Sequence, residues 1–74
     1  MTRVRKHSVT IRGHRTSFSL EAPFYEELAA IAVRRGMKFA VLVAEIDDCR
    51  PRETNLSSAL RVYVLEEVRK TYAR

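Results

Sequence analysis

Three hydrogen-bonding side chains lie at every second position of one short segment of the sequence. Arg15, Ser17 and Ser19 alternate there with the apolar residues Phe18 and Leu20. This spacing predicts a strand with one polar and one apolar face. Such a row can donate and accept hydrogen bonds, which is the chemistry of recognition. The same alternation is also typical of any half-buried strand whose outer face is solvated.

The residues that could support catalysis do not form a complete site. Ser57, Ser58, His14 and the pair Asp47 and Asp48 are parts of a hydrolase. No nucleophile elbow, metal motif or glycine-rich phosphate loop accompanies them. The sequence therefore predicts that the protein is not an enzyme.

The size of the chain limits how it can be stabilised. It has 74 residues, and a domain of about 60 residues buries only roughly 60% of the surface of its unfolded chain. Its single cysteine, Cys49, excludes an intramolecular disulfide, and His7 and His14 do not form a zinc spacing with it. We therefore expect no metal and no cofactor, and we expect oligomerisation to supply the missing stability.

All of the excess positive charge lies at the N-terminus. The formal net charge is +5, and residues 16–74 are balanced in acids and bases. Such asymmetry is typical of an arm or ribbon that meets a polyanion, although a disordered basic tail that only aids solubility has the same composition. The basic residues concerned are Arg3, Arg5, Lys6, Arg12 and Arg15.

The N-terminal region divides into an arm and a strand. We predict a flexible basic arm over residues 1–7 and a single domain over residues 8–74, with a strand at about 15–21. The segments SVTIR and TSFSL both alternate, but the parity of their apolar residues changes across Gly13. A bulge, a bend or a tight turn at Gly13 would each explain this change.

Helical periodicity follows the strand in three segments. Pro23 suits a first helical turn and Gly36 a helix end, which predicts a helix over about 23–35. Apolar residues at three- and four-residue spacing predict two more helices, at about 38–49 and 55–72.

The strand needs a partner, because its backbone groups cannot all be satisfied alone. Residues 8–12 of the same chain or residues 16–20 of a second chain could provide it. The need for a larger core and the need for a second strand have one common solution, an intertwined dimer.

A resemblance to the ribbon-helix-helix family of transcriptional repressors is carried by TSFSLEAPFYEELAAIAVRRGMKFAVLVAEI. Its strand is followed by a proline-initiated helix, and RRGMKF resembles the family's glycine turn. The segment PRETNLSSALRVYVLEE is similar to a bacterial subgroup with an added C-terminal helix, and the resemblance covers roughly residues 9–68. It implies a mostly α fold with one β-strand per chain. Two such chains would form an intertwined homodimer whose antiparallel intersubunit ribbon enters the DNA major groove.

The resemblance also implies which residues contact the bases. Arg15 would form a bidentate pair with guanine O6 and N7, while Ser17 and Ser19 would donate or accept with less discrimination. The residues expected in the dimer core are Phe18, Leu20, Leu28, Leu42, Val43 and Ile46.

Phosphate contacts are expected at the start of the second helix and along the N-terminus. Backbone N–H groups of Met37, Lys38 and Phe39 would meet one phosphate. Lys38 stands where relatives often have a capping hydroxyl. Glu21 is an acid that would repel a phosphate close to the end of the strand, or would instead lie in the first helical turn, where the dipole favours it. Arg3, Arg5, Lys6 and Arg12 would add nonspecific contacts.

The implied function is specific binding of double-stranded DNA at an inverted repeat by a homodimeric transcriptional regulator or repressor. We expect it in the cytoplasm, with no membrane span, because the longest apolar run, FAVLVA, is far shorter than about 18 residues. The alternative is a protein-interaction module, antitoxin-like or a scaffold, that docks a protein partner through the C-terminal helix.

Overall fold

The computed structural model describes residues 3–72, which form a β-hairpin followed by three helices. The elements are β1 (Val4–Ile11), β2 (His14–Glu21), α1 (Ala22–Arg34), α2 (Phe39–Cys49) and α3 (Leu56–Tyr72). The two strands form an antiparallel sheet, and the helices pack against its apolar face.

The hairpin is closed by a two-residue turn. Arg12 and Gly13 both have positive φ, at 51° and 79°, as in the type I′ turn whose twist matches that of the flanking strands. Residues pair from Ile11–His14 at the turn to Val4–Glu21 at the open end. Odd-numbered residues of β1 are thus paired with even-numbered residues of β2. This pairing explains why the apolar residues change from odd-numbered to even-numbered positions across Gly13. The prediction of one strand per chain is wrong, because residues Val4–Ile11 form a second strand.

The predicted flexible arm is also wrong over residues 4–7, which belong to β1. The His7 ring stacks on Phe18 and Tyr25, with centroid distances of 5.5 and 4.3 Å. The His7 ring thus extends the apolar face of β1 beyond Val9. The sequence interpretation missed this extension because it considered only the aliphatic residues of the segment. Residues 1–2 of the predicted arm lie outside the described part of the chain.

Local sequence signals define the helix ends. Pro23 lies in the first turn of α1. At its end, Gly36 (φ 66°) donates its N–H to the Val33 carbonyl at 3.0 Å. At the start of α3, the Asn55 side-chain oxygen accepts the Ser58 N–H at 2.8 Å, as a capping residue does. The predicted ranges 23–35, 38–49 and 55–72 compare with Ala22–Arg34, Phe39–Cys49 and Leu56–Tyr72.

The core lies between the hairpin and the helices, within one chain. All six residues assigned to a dimer core are buried in it, together with apolar side chains from β1 and α3. Ile11, Leu56, Leu60 and Val64 are buried in the same cluster. The six are Phe18, Leu20, Leu28, Leu42, Val43 and Ile46.

Gly13→Ala should destabilise the fold by about 1–2 kcal/mol, the cost of placing an L-residue in left-handed backbone. A methyl group at Gly13 would meet no atom within 4 Å, so backbone conformation alone causes the loss. Urea unfolding measures it. Gly13→Asn is the matched control, because asparagine tolerates this conformation. Equal losses for both variants would contradict the assigned turn.

Candidate nucleic-acid interface

The outer face of the hairpin carries polar side chains from both strands. It lies opposite the core, because the alternating residues Phe18 and Leu20 point inward and are buried. The predicted base-reading row on β2 therefore has a second row beside it on β1. The cross-strand pairs on this outer face are Lys6–Ser19, Ser8–Ser17 and Thr10–Arg15.

The sequence interpretation missed Ser8 and Thr10 as members of this face. Both residues are exposed in the structure. Their alternation with Val9 and Ile11 was a signal for a strand, but only the pairing with β2 places them beside Arg15. The strand partner therefore determines how many hydrogen-bonding groups the surface offers.

Arg15 and Ser17 occupy the exposed centre of the outer face. The Arg15 Nη2 atom lies 3.3 Å from Ser8 Oγ, to which it donates a hydrogen bond across the strands. This contact holds the guanidinium over the ribbon while its remaining N–H groups stay available to a partner. Arg15 and Ser17 are thus placed to contact an extended ligand together.

Ser19 differs from Arg15 and Ser17 because it lies against α3. Its backbone N–H donates to Ser57 Oγ at 2.8 Å, and its carbonyl oxygen lies 3.5 Å from Arg61 Nη2. The residue is half-buried. The three predicted base-reading residues therefore share a face, but Ser19 lies against α3 and is less accessible than Arg15 and Ser17.

Glu21 follows on the same face and is paired with a cation. Arg61 Nε lies 3.0 Å from Glu21 Oε1, and both side chains are half-buried. The pKa of Glu21 is lowered, first by a hydrogen bond from its own backbone N–H and then by the Arg61 side chain. The pairing compensates the negative charge that the sequence places near a phosphate.

Glu21→Gln should make stability less sensitive to acid. Because the pKa of Glu21 is lower in the folded chain than in the unfolded one, its ionised form stabilises the fold above the ordinary value of 4.5. This stabilisation is lost as the pH falls through the folded-state pKa. Melting curves from neutral to acid pH should therefore decline less steeply for the variant. A slope in Glu21→Gln that equals the wild-type slope would contradict the pairing.

The predicted phosphate-binding cations have different surroundings. Arg3 and Arg5 are exposed near the open end of the hairpin, and Lys6 lies on the outer face. Arg12, at the turn, donates to the Asp48 carboxylate at the end of α2, which raises the pKa of Arg12. Arg12 is thus already ion-paired within the chain, whereas the sequence interpretation assigned it to a nonspecific phosphate contact.

The start of α2 offers a reduced set of backbone donors. The Met37 N–H donates to the Ala32 carbonyl at 3.0 Å, which removes Met37 from the three predicted phosphate donors. Lys38 and Phe39 remain at the positive end of the helix dipole. Lys38 occupies the N-cap position without a side-chain capping bond. The ring centroids of Phe39 and Tyr25 lie 5.0 Å apart.

These features define a class of protein: helical DNA-binding domains that present an antiparallel β-ribbon with a polar outer face. A family model described as a ribbon-helix-helix domain matches residues 4–68. The protein therefore belongs to the ribbon-helix-helix family, and the resemblance seen in the sequence is confirmed. Members of this family are generally DNA-binding transcription regulators that act as dimers, and they are not enzymes.

Comparisons with curated proteins and with solved structures gave no match. Within residues 3–72, no helix is long and apolar enough to cross a membrane. The same residues contain no group of three or more His, Cys, Asp and Glu side chains that could hold a metal ion.

Proposed function

We propose that this protein binds double-stranded DNA sequence-specifically by inserting its β-ribbon into the major groove. We propose further that it acts as a transcriptional regulator, namely a repressor. One observation carries the proposal. In a member of a DNA-binding family, Arg15 and Ser17 lie exposed on the outer face of an antiparallel ribbon, and Arg15 bonds across it to Ser8.

The dimensions and chemistry of the ribbon suit the major groove. That groove is about 12 Å wide in B-DNA and admits a two-stranded β-ribbon. Arg15 can pair bidentately with guanine, the commonest specific contact, and Ser17 can donate or accept at a neighbouring base. Ser19 would contribute less, because α3 partly covers it.

Phosphate contacts would flank the ribbon. Arg3, Arg5 and Lys6 carry positive charge at its open end, and the start of α2 at Lys38 and Phe39 offers backbone N–H groups. Arg12 would contact DNA only by exchanging Asp48 for a phosphate. Affinity should then fall with salt by about 0.9 log units per log unit of salt for each phosphate contact.

The functional unit would be a homodimer, as in the rest of the family. A two-fold symmetric protein reads two related half-sites, so its operator is an inverted repeat. A regulator of this kind works where the DNA is, in the bacterial cytoplasm.

In vitro selection from a random duplex library tests the proposal. The purified protein is incubated with the library at near-physiological salt, and the bound fraction is sequenced. An inverted repeat with guanine at a fixed position in each half is the expected result. A folded, dimeric protein that selects no motif would contradict specific DNA binding.

A protein partner at α3 is the second candidate function. Val62, 52% exposed, lines an apolar groove together with Ile46 and Tyr63. Leu65, on the same helix, is 47% exposed. Exposed apolar side chains beside a groove are typical of a docking surface. Deleting residues 55–74 would also remove the core residues of α3, so point variants are required.

The double variant Val62→Glu, Leu65→Glu separates the two functions. If α3 docks a partner, this variant keeps DNA binding but no longer regulates in cells. If DNA binding alone carries the function, regulation persists.

A further inference from the structure

We propose that the ion pair between Arg12 and Asp48 is autoinhibitory: Asp48 competes with a DNA phosphate for the positive charge at the hairpin turn, and so lowers the affinity for DNA of any sequence. This inference rests on the proposed function, because it concerns the same interface. It adds an inhibitory contact within the chain to the groups that would bind DNA.

Arg12 lies close to the predicted base-reading residues but is directed elsewhere. It belongs to the hairpin turn, three residues before Arg15. Its guanidinium donates to the Asp48 carboxylate on α2, and α2 belongs to the helices that pack against the apolar face of the sheet. The ion pair therefore holds this positive charge on the helix side of the hairpin, away from the outer face.

The C-terminal end of α2 attracts a cation. Its last turn contains Asp47 and Asp48 and no basic residue, although a helix C-terminus is the negative end of the helix dipole. Arg50, which follows the helix, binds the Asp47 carboxylate at 2.7 Å. Asp48 is paired with the hairpin turn instead. Arg12 thus compensates an acid that lies at an unfavourable end of its helix.

The ion pair is accessible to a competing phosphate. The side chains of Arg12 and Asp48 are 64% and 47% exposed, so solvent and salt ions reach both of them. Exposed ion pairs contribute little to stability, because solvent screens the charges and both side chains lose conformational freedom. A phosphate near the turn can therefore take Arg12 without unfolding any element. The gain from that contact is reduced by the loss of the contact to Asp48.

Asp48→Asn should tighten binding to operator and scrambled duplexes alike by roughly two- to five-fold, the range that exposed ion pairs contribute. The amide keeps the shape of the side chain and removes only its charge. Both duplexes should be affected, because phosphate contacts carry no sequence information. In wild type, the freed carboxylate takes up a salt cation, which offsets part of the counterion release. The salt dependence should therefore steepen in the variant, by up to about 0.9 log units per log unit of salt.

The Arg12→Gln background separates the ion pair from a general effect of charge. Asp48→Asn is measured by fluorescence anisotropy in wild type and in this background, with both duplexes at several salt concentrations. If Asp48 acts by holding Arg12, its substitution should have a much smaller effect when Arg12 is absent, since only interacting groups are non-additive. Thermal melting checks that each variant is folded.

Two results would overturn the inference. An equal gain in both backgrounds would mean that Asp48 repels DNA through its charge alone. Unchanged affinity and salt dependence in Asp48→Asn would mean that Asp48 does not restrain Arg12.

Heparin distinguishes a failure of this inference from a failure of the proposed function. It is a sulfated polyanion without bases, so retention on a heparin column reports the accessible positive charge of the protein. If wild type selects no DNA motif, the proposed function fails. The competition for Arg12 still stands if Asp48→Asn elutes at higher salt than wild type only when Arg12 is present. Equal elution of Asp48→Asn and wild type would overturn the competition as well.

Discussion

The double variant Arg15→Ala, Ser17→Ala should bind the selected operator no more tightly than unrelated DNA, while remaining folded. Both side chains are exposed on the outer face of the hairpin, so their removal leaves the core intact. A bidentate arginine–guanine pair contributes about 1–3 kcal/mol of discrimination, which corresponds to roughly 5- to 150-fold in affinity. Loss of the serine contact adds to this loss.

Fluorescence anisotropy with operator and scrambled duplexes at one salt concentration measures the effect. Arg34→Ala is the matched control, because it removes the same charge from an exposed site at the end of α1, outside the ribbon. It should weaken binding to both duplexes slightly and equally. Equal weakening of both duplexes by the double variant would mean that Arg15 and Ser17 do not discriminate bases.

The helical part of the fold follows from local signals. Pro23 and Gly36 punctuate the sequence on either side of α1, and the apolar spacing of α2 and α3 has a period that only a helix satisfies. The alternation of β2 likewise indicates which of its residues face the core. These features depend on residues a few positions apart, so the sequence alone is sufficient.

The hairpin could not be assigned in the same way. Asn-Gly or Asp-Gly is the strong signal for a type I′ turn, whereas this turn places Arg12 at positive φ before Gly13. In addition, Arg5, Lys6 and His7 lack the apolar alternation of a strand. They are held by pairing with β2 and by the stacking of His7 on Tyr25, which depend on tertiary structure.

The site shows the same division between local and distant information. Arg15 and Ser17 were assigned to the outer face because strand alternation determines the side on which they lie. The contacts of Ser57 with Ser19 and of Arg61 with Glu21 join residues far apart in sequence, and no local pattern indicates them. These distant contacts change the predicted site most, because they join the C-terminal helix to the edge of the ribbon.

Leu60→Ala should produce the largest loss of stability among single substitutions on α3. Leu60 is fully buried in the core, and truncation of a buried leucine costs about 2–5 kcal/mol through lost apolar contact and the cavity that remains. A 74-residue chain has a total stability of roughly 4–11 kcal/mol at about 0.05–0.15 kcal/mol per residue. The substitution therefore removes a large fraction of the total, and the melting temperature should fall by roughly 8 °C or more.

Leu65→Ala is the control for this prediction, because it makes the same chemical change in the same helix. Leu65 is 47% exposed, so its truncation forms no internal cavity and should lower the melting temperature by only a few degrees. Thermal unfolding followed by circular dichroism at 222 nm, the usual wavelength for helix content, distinguishes the two variants. If both melt alike at several protein concentrations, α3 does not pack through Leu60. The contact of Ser57 with the edge of β2 would then lose its structural support, since the buried face of α3 is what holds Ser57 there.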